Sequence, residues 1–167
     1  MSHFPEQLKR SFGAVVDART RVLLLGSLPG EESLARRQYY AHPRNQFWRL
    51  TGAVIGADLV PLGYEERLES LLAAGIGLWD VVGAAVRRGS LDGAIRGAQA
   101  NRLAELAAEL PALRAVGFNG GKSWTMGGPL LAGLPHLALV PLPSSSPAHT
   151  LAFEQKRDSW LKLRAYL

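Results

Sequence analysis

The sequence predicts an α/β fold with three layers (αβα), in which helices cover both faces of a central, four-stranded parallel sheet. Short apolar runs alternate along the chain with stretches whose apolar residues recur every three to four positions. This alternation is typical of strand–helix–strand units, whose parallel strands are buried on both faces. Apolar residues make up 47% of the 167 residues, and no linker or internal repeat divides them, so we expect one domain over residues 1–167.

In the N-terminal half, Arg21–Leu25 is the first predicted strand, because its unbroken Val and Leu run fits a strand buried on both faces. Helices are predicted over Phe47–Ile55 and Tyr64–Ala74, where apolar residues recur at helical spacing. The apolar run Ile76–Val82 then predicts the second strand.

The C-terminal half repeats this alternation. A helix over Asn101–Leu110 ends at a proline and is followed by the predicted strand Leu113–Phe118. Lys122–Ala132 predicts a weaker helix, because two glycines and a proline interrupt it, and Leu137–Leu142 predicts the fourth strand. Phe153–Leu167 predicts a final amphipathic helix.

Loops of unusual composition follow three of the predicted strands, namely Gly26–Gln46, Gly83–Gly97 and Pro143–Thr150. In parallel sheets the carboxyl ends of the strands share an edge, and ligands bind in the crevice outside it. We therefore expect these three loops to line one cleft, although they are far apart in sequence.

Composition excludes several classes of function. The absence of cysteine excludes disulfides and thiolate chemistry, and the four histidines are too far apart to indicate a metal site, so no metal or cofactor is expected. No apolar run approaches the roughly 20 residues of a membrane span, and no secretory signal is present, so we expect a cytoplasmic protein. The net charge of +5 fits a polyanionic partner and equally a basic protein without one.

The first loop has the residues to bind a flat base. Its start, Gly26–Gly30, lacks the pattern of a phosphate-binding loop. Tyr40 and its aromatic neighbours offer faces that stack on bases, whereas His42, before a proline, more commonly has a structural role. Asn45 is able to position a water molecule or to read a base edge, and equally to cap the helix that follows.

The other loops supply polar groups. Asp80 ends an apolar strand, and because an unpaired buried carboxylate is costly, we expect it to face the cleft. Arg87, Arg88 and Ser90 suit phosphate contact, with a solvated surface loop as the alternative. The hydroxyls of Ser144–Ser146 suit the same role or a surface turn.

Six segments stand out in collinear order across nearly the whole chain: GSLPG (Gly26–Gly30), QYYAHPRNQFW (Gln38–Trp48), LWDVV (Leu78–Val82), RRGSLD (Arg87–Asp92), FNG (Phe118–Gly120) and PSSSPAH (Pro143–His149). This ordered set resembles the uracil-DNA glycosylase superfamily, above all its hypoxanthine-DNA glycosylase branch, called family 6 or DNA-deoxyinosine glycosylase. It is also similar to mismatch-specific uracil-DNA glycosylase, which shares the AHPxNxFW block.

The resemblance implies roles for particular residues. Asn45 falls on the catalytic Asn of the hypoxanthine branch, Tyr40 on the aromatic that stacks on the extruded base, and Asp80 on the position that reads the base edge. The chain departs from the superfamily at Leu28, where Asp or Asn is usual, and at Leu142, where His or Asn is usual. The implied base-binding residues are Tyr40, Asp80, Gly26, Ser27 and Leu28, and the implied DNA contacts are His42, Arg87, Arg88, Ser90, Ser144, Ser145, Ser146 and His149.

The resemblance implies a monomeric, monofunctional DNA glycosylase that removes a deaminated base, foremost hypoxanthine, from damaged double-stranded DNA, with action on single strands left open. One alternative is a glycosylase for uracil or thymine opposite guanine. The others are a non-catalytic sensor of damaged DNA and a nucleoside hydrolase, against which the missing phosphate loop argues.

Overall fold

A computed structural model of the protein describes residues 8–87 and 89–167. The strands are β1 (Leu8–Arg10), β2 (Val22–Gly26), β3 (Ile76–Asp80), β4 (Val82–Val86), β5 (Arg96–Ala100), β6 (Ala115–Asn119) and β7 (Ala138–Leu142). The α-helices are α1 (Glu31–Arg36), α2 (Phe47–Ile55), α3 (Tyr64–Ala73), α4 (Leu103–Glu109), α5 (Gly121–Leu131) and α6 (Phe153–Trp160). Short 3₁₀ helices span Asp92–Ala94 and Leu161–Tyr166.

The central sheet is four-stranded and parallel, in the order β3-β2-β6-β7. The inner strand β2 is wholly buried, because alternate residues enter different cores. Val22 and Leu24 join the cluster formed with α2, α3 and α6, whereas Leu23 and Leu25 join the cluster formed with α4 and α5. The predicted three-layer α/β architecture is therefore confirmed.

The register of the sheet brings polar strand ends to one edge. Gly26, the last residue of β2, pairs with Asp80 at the end of β3. On the other side of the sheet, Asn119 at the end of β6 pairs with Leu142 at the end of β7. The four strand ends thus form one rim, as expected for the binding edge of a parallel sheet.

A second, antiparallel sheet of order β1-β4-β5 packs beside this rim, and the sequence did not predict it. The predicted strand Ile76–Val82 is divided, since β3 ends at Asp80 and Val82 begins β4. The segment Gly83–Gly97, expected to be a loop, contributes most of β4 and the start of β5. Hydrophobic periodicity cannot reveal β5, because all five of its residues are exposed.

Smaller differences concern the helices. Helix α5 runs without interruption through its glycines and Pro129, and the final helix becomes 3₁₀ after Trp160. Helix α1 forms within the segment expected to be a loop. No helix of residues 8–87 and 89–167 combines the length and hydropathy needed to cross a membrane.

Candidate active site

A cavity of about 580 Å³ opens at the carboxyl edge of the central sheet. Residues of all three predicted loops line it, including Tyr40, Asp92 and Ser144, although more than 100 positions separate the first from the last. Its volume lies within the range of small-molecule sites, roughly 300–1,000 Å³. The convergence inferred from parallel-sheet topology is therefore present in the structure.

Asp80 lies in this cavity and is 3% exposed. Its Oδ2 atom is buried and has no hydrogen-bond partner among the described residues. Burial raises the pKa of Asp80 to about 7, and the nearby Asp92 carboxylate adds to the rise, while the Arg87 guanidinium opposes it. An unpartnered buried carboxyl is costly unless a ligand supplies the missing hydrogen bond.

Gly26 leaves the space that Asp80 and Tyr40 occupy. A Cβ atom on Gly26 would lie 2.6 Å from Asp80 Oδ1 and 2.9 Å from Tyr40 Oη. Both distances are shorter than real contacts of a Cβ atom, so any side chain at this position would displace the two groups. The role of Gly26 in the cavity is therefore steric.

Tyr40 has one ring face occupied and lines the cavity. Its ring stacks on buried Phe47, with centroids 3.7 Å apart and an interplanar angle of 11°. The backbone of Tyr40 is left-handed, with φ of 54°, a conformation that costs a non-glycine residue on the order of 1 kcal/mol. Such strain at a cavity wall is typical of residues held in place for function.

Asn45 lines the cavity and lies one residue before Gln46, which is the N-cap of α2, so Asn45 is not the N-cap itself. Its Oδ1 accepts a hydrogen bond of 3.0 Å from the backbone N–H of Phe47 in the first turn of α2. Because a backbone N–H requires an acceptor, this bond sets which end of the carboxamide is oxygen. The second lone pair of Oδ1 and the Nδ2 group have no partner among the described residues and remain available to a ligand.

Asn119 also lines the cavity, although the sequence predicted no role for it. Its Nδ2 donates to Ser145 Oγ at 2.9 Å and to Tyr40 Oη at 3.3 Å, and its Oδ1 accepts from the Ser145 N–H at 2.9 Å. Asn119 therefore joins Tyr40 to the loop after β7. Its position directly after the predicted strand Leu113–Phe118 was the signal that could have identified it.

The loop after β2 is held by the connection between β4 and β5. Ser27 Oγ donates to Asp92 Oδ1 at 2.5 Å, and the N–H of Glu31 donates to Ser90 Oγ at 2.8 Å. Arg87 is 1% exposed, and its guanidinium donates to the carbonyl oxygens of Leu28, Pro29 and Gly89. The connection between β4 and β5 therefore forms the wall on this side of the cavity, where Ser90, Leu91 and Asp92 line it.

Comparison with known proteins identifies the family. Residues 12–167, which are most of the chain, match the family described as the Uracil DNA glycosylase superfamily. The chain belongs to this superfamily. The predicted class, a DNA glycosylase acting on N-glycosidic bonds in DNA, is therefore confirmed.

Two relatives of this glycosylase are named "Hypoxanthine DNA glycosylase". The protein from Methanosarcina acetivorans is 42% identical over 153 residues, covering 92% of this chain and 96% of its own. The protein from Methanosarcina barkeri is 41% identical over 152 residues, covering 91% of this chain and 95% of its own. A solution NMR structure from M. acetivorans, titled as a candidate uracil DNA glycosylase, superposes with a TM-score of 0.86 at 40% identity, covering 96% of this chain and 99% of its own.

The two departures from the superfamily pattern are both buried apolar residues of this glycosylase. Leu28 is 6% exposed and packs with Val82, Ala85 and Ile95, so its side chain serves the second sheet while the residue still borders the cavity. Leu142 is 5% exposed and belongs to the core on the α2 side. Neither leucine side chain has a polar atom to orient water or to stabilise a departing base.

The residues predicted to contact DNA divide into three groups. His42, Ser90, Ser144, Ser146 and His149 line the cavity and retain solvent exposure. The roles predicted for two others need correction, and a third, Arg88, lies outside the described residues.

The corrections concern Arg87 and Ser145. The Arg87 guanidinium is buried and donates to loop carbonyls, so it is not free to contact a phosphate. Ser145 is 1% exposed, and its hydroxyl accepts a hydrogen bond from Asn119, so it holds Asn119 in place instead of contacting DNA. Sequence shows that a charge or hydroxyl is present but does not show its burial.

Proposed function

We propose that this glycosylase extrudes hypoxanthine from damaged double-stranded DNA and hydrolyses its N-glycosidic bond without cutting the strand. The observation that carries the proposal is the unpartnered carboxyl of Asp80 in the cavity. Hypoxanthine has an N1–H where adenine has a lone pair, so an ionised carboxylate accepts a hydrogen bond from the first and repels the second. The names of the two relatives support the same substrate.

Binding of the extruded base would use the face of the Tyr40 ring that Phe47 does not cover. Phe47 covers the other face and keeps the ring in place. A base stacked on an aromatic side chain gains about 1–3 kcal/mol, which helps to offset the few kcal/mol needed to unstack and unpair it. Stacking tolerates every base, so the choice of base falls to Asp80.

Hydrolysis would proceed through a sugar that is already losing its base. The C1′–N9 bond breaks with its electron pair passing to hypoxanthine, and water oxygen forms the new bond to C1′. The proton that the water releases passes through solvent to the hypoxanthine anion, which leaves as the neutral base. The free lone pair of Asn45 Oδ1 accepts one water O–H and directs the water lone pair at C1′. An amide is no strong base, so its contribution is orientation.

The cavity also supports a monofunctional reaction. No lysine is among the described residues that line it, so no amine is placed to form a Schiff base with C1′. The product would be an intact strand with an abasic site. Because one chain supplies a complete cavity from residues between Gly26 and His149, we propose that residues 1–167 act as a single domain and as a monomer.

The test is base release from labelled duplexes that contain one hypoxanthine, uracil, xanthine or mispaired thymine, with strand cleavage assayed before and after alkali. We expect alkali-dependent cleavage that is strongest at hypoxanthine. In Asp80→Asn we expect excision of hypoxanthine to fall far more than DNA affinity. Cleavage mainly at uracil or thymine would overturn the proposal that hypoxanthine is the substrate and that Asp80 selects it. Binding without any base release would instead establish a damage sensor.

A further inference from the structure

Asn119 is a buried amide at the rim of the cavity that the proposed chemistry does not use. It is the last residue of β6, lines the cavity and is 7% exposed. Base recognition is assigned to Asp80 and water orientation to Asn45, which leaves Asn119 without a role. Burying an amide costs free energy unless hydrogen bonds compensate, so the partners of Asn119 indicate what it does.

The hydrogen bonds of Asn119 fix the orientation of its carboxamide. Oδ1 accepts from the Ser145 N–H at 2.9 Å, and because a backbone N–H requires an acceptor, this bond sets which end is oxygen. Nδ2 is then the donor, and its two hydrogens go to Ser145 Oγ at 2.9 Å and to Tyr40 Oη at 3.3 Å. The bond between Asn119 and Tyr40 therefore has one direction, with the amide donating and the hydroxyl oxygen accepting.

The same network reaches the aromatic partner of Tyr40. The Ser145 carbonyl accepts from the Gln46 N–H at 3.0 Å, and Gln46 directly precedes Phe47, on which the Tyr40 ring is stacked. The ring is thus supported at two places, since Phe47 covers one face and Asn119 bonds to the hydroxyl end. Both supports are connected through Ser145.

Tyr40 needs such support because its backbone is strained. Its φ of 54° lies in the left-handed region, which a residue other than glycine keeps only where its surroundings hold it there. Trp48 Nε1 donates to the Tyr40 carbonyl at 3.1 Å and secures the backbone. The bond from Asn119 secures the far end of the side chain, at the edge of the cavity.

We infer that Asn119 is a positioning residue for base binding, which holds the hydroxyl end of Tyr40 so that the ring is in place before the extruded base arrives. The inference rests on the proposed function, in which that base stacks on Tyr40. A group that is already ordered loses less conformational freedom when its ligand binds, so the bond should strengthen stacking without touching the base. Asn119 thereby links the stacking ring to the loop after β7.

The experiment begins with removal of the hydroxyl that Asn119 holds. We expect Tyr40→Phe to lower kcat/KM for hypoxanthine excision about three- to tenfold, as loss of one hydrogen bond would. Affinity for a duplex with an abasic site should stay the same, because that DNA has no base to stack. Tyr64→Phe is the matched control, since the Tyr64 hydroxyl also accepts one N–H bond, from Tyr39 at 3.0 Å, but Tyr64 does not line the cavity.

A double-mutant cycle then tests whether the hydroxyl acts through Asn119. In the Asn119→Ala background, we expect Tyr40→Phe to change kcat/KM less than twofold, because the bond that it would break is already absent. Asn119→Leu provides the same background should the alanine variant not fold, since leucine branches as asparagine does but has no hydrogen-bonding group.

An equal effect of Tyr40→Phe with and without Asn119 would overturn the inference and assign the hydroxyl a contact of its own with the base. An unchanged kcat/KM in Tyr40→Phe, or an equal loss in Tyr64→Phe, would overturn it as well. Failure of the proposed function is distinguishable, because the unaltered protein would then release no hypoxanthine.

Discussion

At the scale of single residues, the buried carboxyl of Asp80 links the proposed chemistry to stability. Its pKa rises from 3.8 to about 7, mainly because burial disfavours the charged form. Between these values the folded protein holds a proton that the unfolded chain has released. The stability contributed by this group is therefore fully present below about pH 4 and is lost as pH rises through about 7.

We predict that Asp80→Asn flattens this pH dependence. An amide does not ionise, so between pH 5 and pH 8 the variant should lose less stability than the unaltered protein, by about 2–3 kcal/mol. Denaturant unfolding at both pH values measures the difference. Asp158→Asn is the control, because the side chain of Asp158 is 73% exposed. The same pH slope in Asp80→Asn and in the unaltered protein would show that the Asp80 pKa is not raised.

Asn45 has two separable roles, and substitutions can divide them. Asn45→Ala removes the acceptor of the Phe47 N–H and the water-orienting group, whereas Asn45→Ser retains a side-chain oxygen that can accept from this N–H. We predict that both lower single-turnover excision about a hundredfold or more. Asn45→Ala alone should also cost about 1 kcal/mol of stability. Full activity in the serine variant would remove the carboxamide from the mechanism.

At the scale of elements, helix α6 holds the loop after β7. Lys156 is 1% exposed, and its Nζ donates to Gln46 Oε1 at 2.9 Å and to the Ser146 carbonyl at 3.2 Å. Trp160 Nε1 donates to the Pro143 carbonyl at 2.9 Å. The helix therefore fixes the loop after β7, which borders the cavity, and Gln46, which follows the cavity residue Asn45.

We predict that Lys156→Met weakens DNA binding more than it slows bond cleavage. Losing two hydrogen bonds of roughly 1 kcal/mol each to the loop and to Gln46 should raise KM for duplex about three- to tenfold, with kcat little changed. Stability should change little, because burial already lowers the pKa of Lys156 and an apolar chain replaces a desolvated charge.

The control for this variant is Lys162→Met, which removes the same charge from an exposed position. KM and kcat for a hypoxanthine duplex, measured for both variants, separate a loop effect from a charge effect. Equal rises of KM in the two variants would assign the effect to net charge alone.

At the scale of the whole molecule, the positive charge lies outside the cavity. The chain has 19 Lys and Arg against 14 Asp and Glu, yet neither Lys nor Arg is among the described residues that line the cavity. The cavity wall instead contains carboxylates such as Asp80 and Glu32. The surrounding surface must therefore supply the attraction to phosphates, leaving the cavity to choose the base.

We predict that salt weakens DNA binding but leaves the rate of bond cleavage nearly unchanged. A plot of log KM against log salt should be linear with a slope near 0.9 per phosphate neutralised, and KM should rise about tenfold or more between roughly 50 and 200 mM salt. Single-turnover excision by the saturated enzyme should change little. A KM that does not respond to salt would indicate that recognition depends on the cavity alone.

The sequence by itself determined the central architecture and most of the cavity. The apolar runs predicted all four parallel strands, and helix α2 has the predicted bounds, because burial on both faces and helical spacing are visible in residue order. The edge rule for parallel sheets was enough to place Tyr40, Asn45 and Asp80 in one cleft.

Only the tertiary structure decided what supports that cleft. Asn119 bonds to Ser145 across 26 positions, and Ser27 bonds to Asp92 across 65, distances over which residue order carries no signal. The exposed strand β5 has no apolar period, so its pairing with β4 was invisible. Residue type states which groups a side chain can donate or accept, but burial determines whether they remain free for DNA, because a desolvated polar group must find its partner inside the fold.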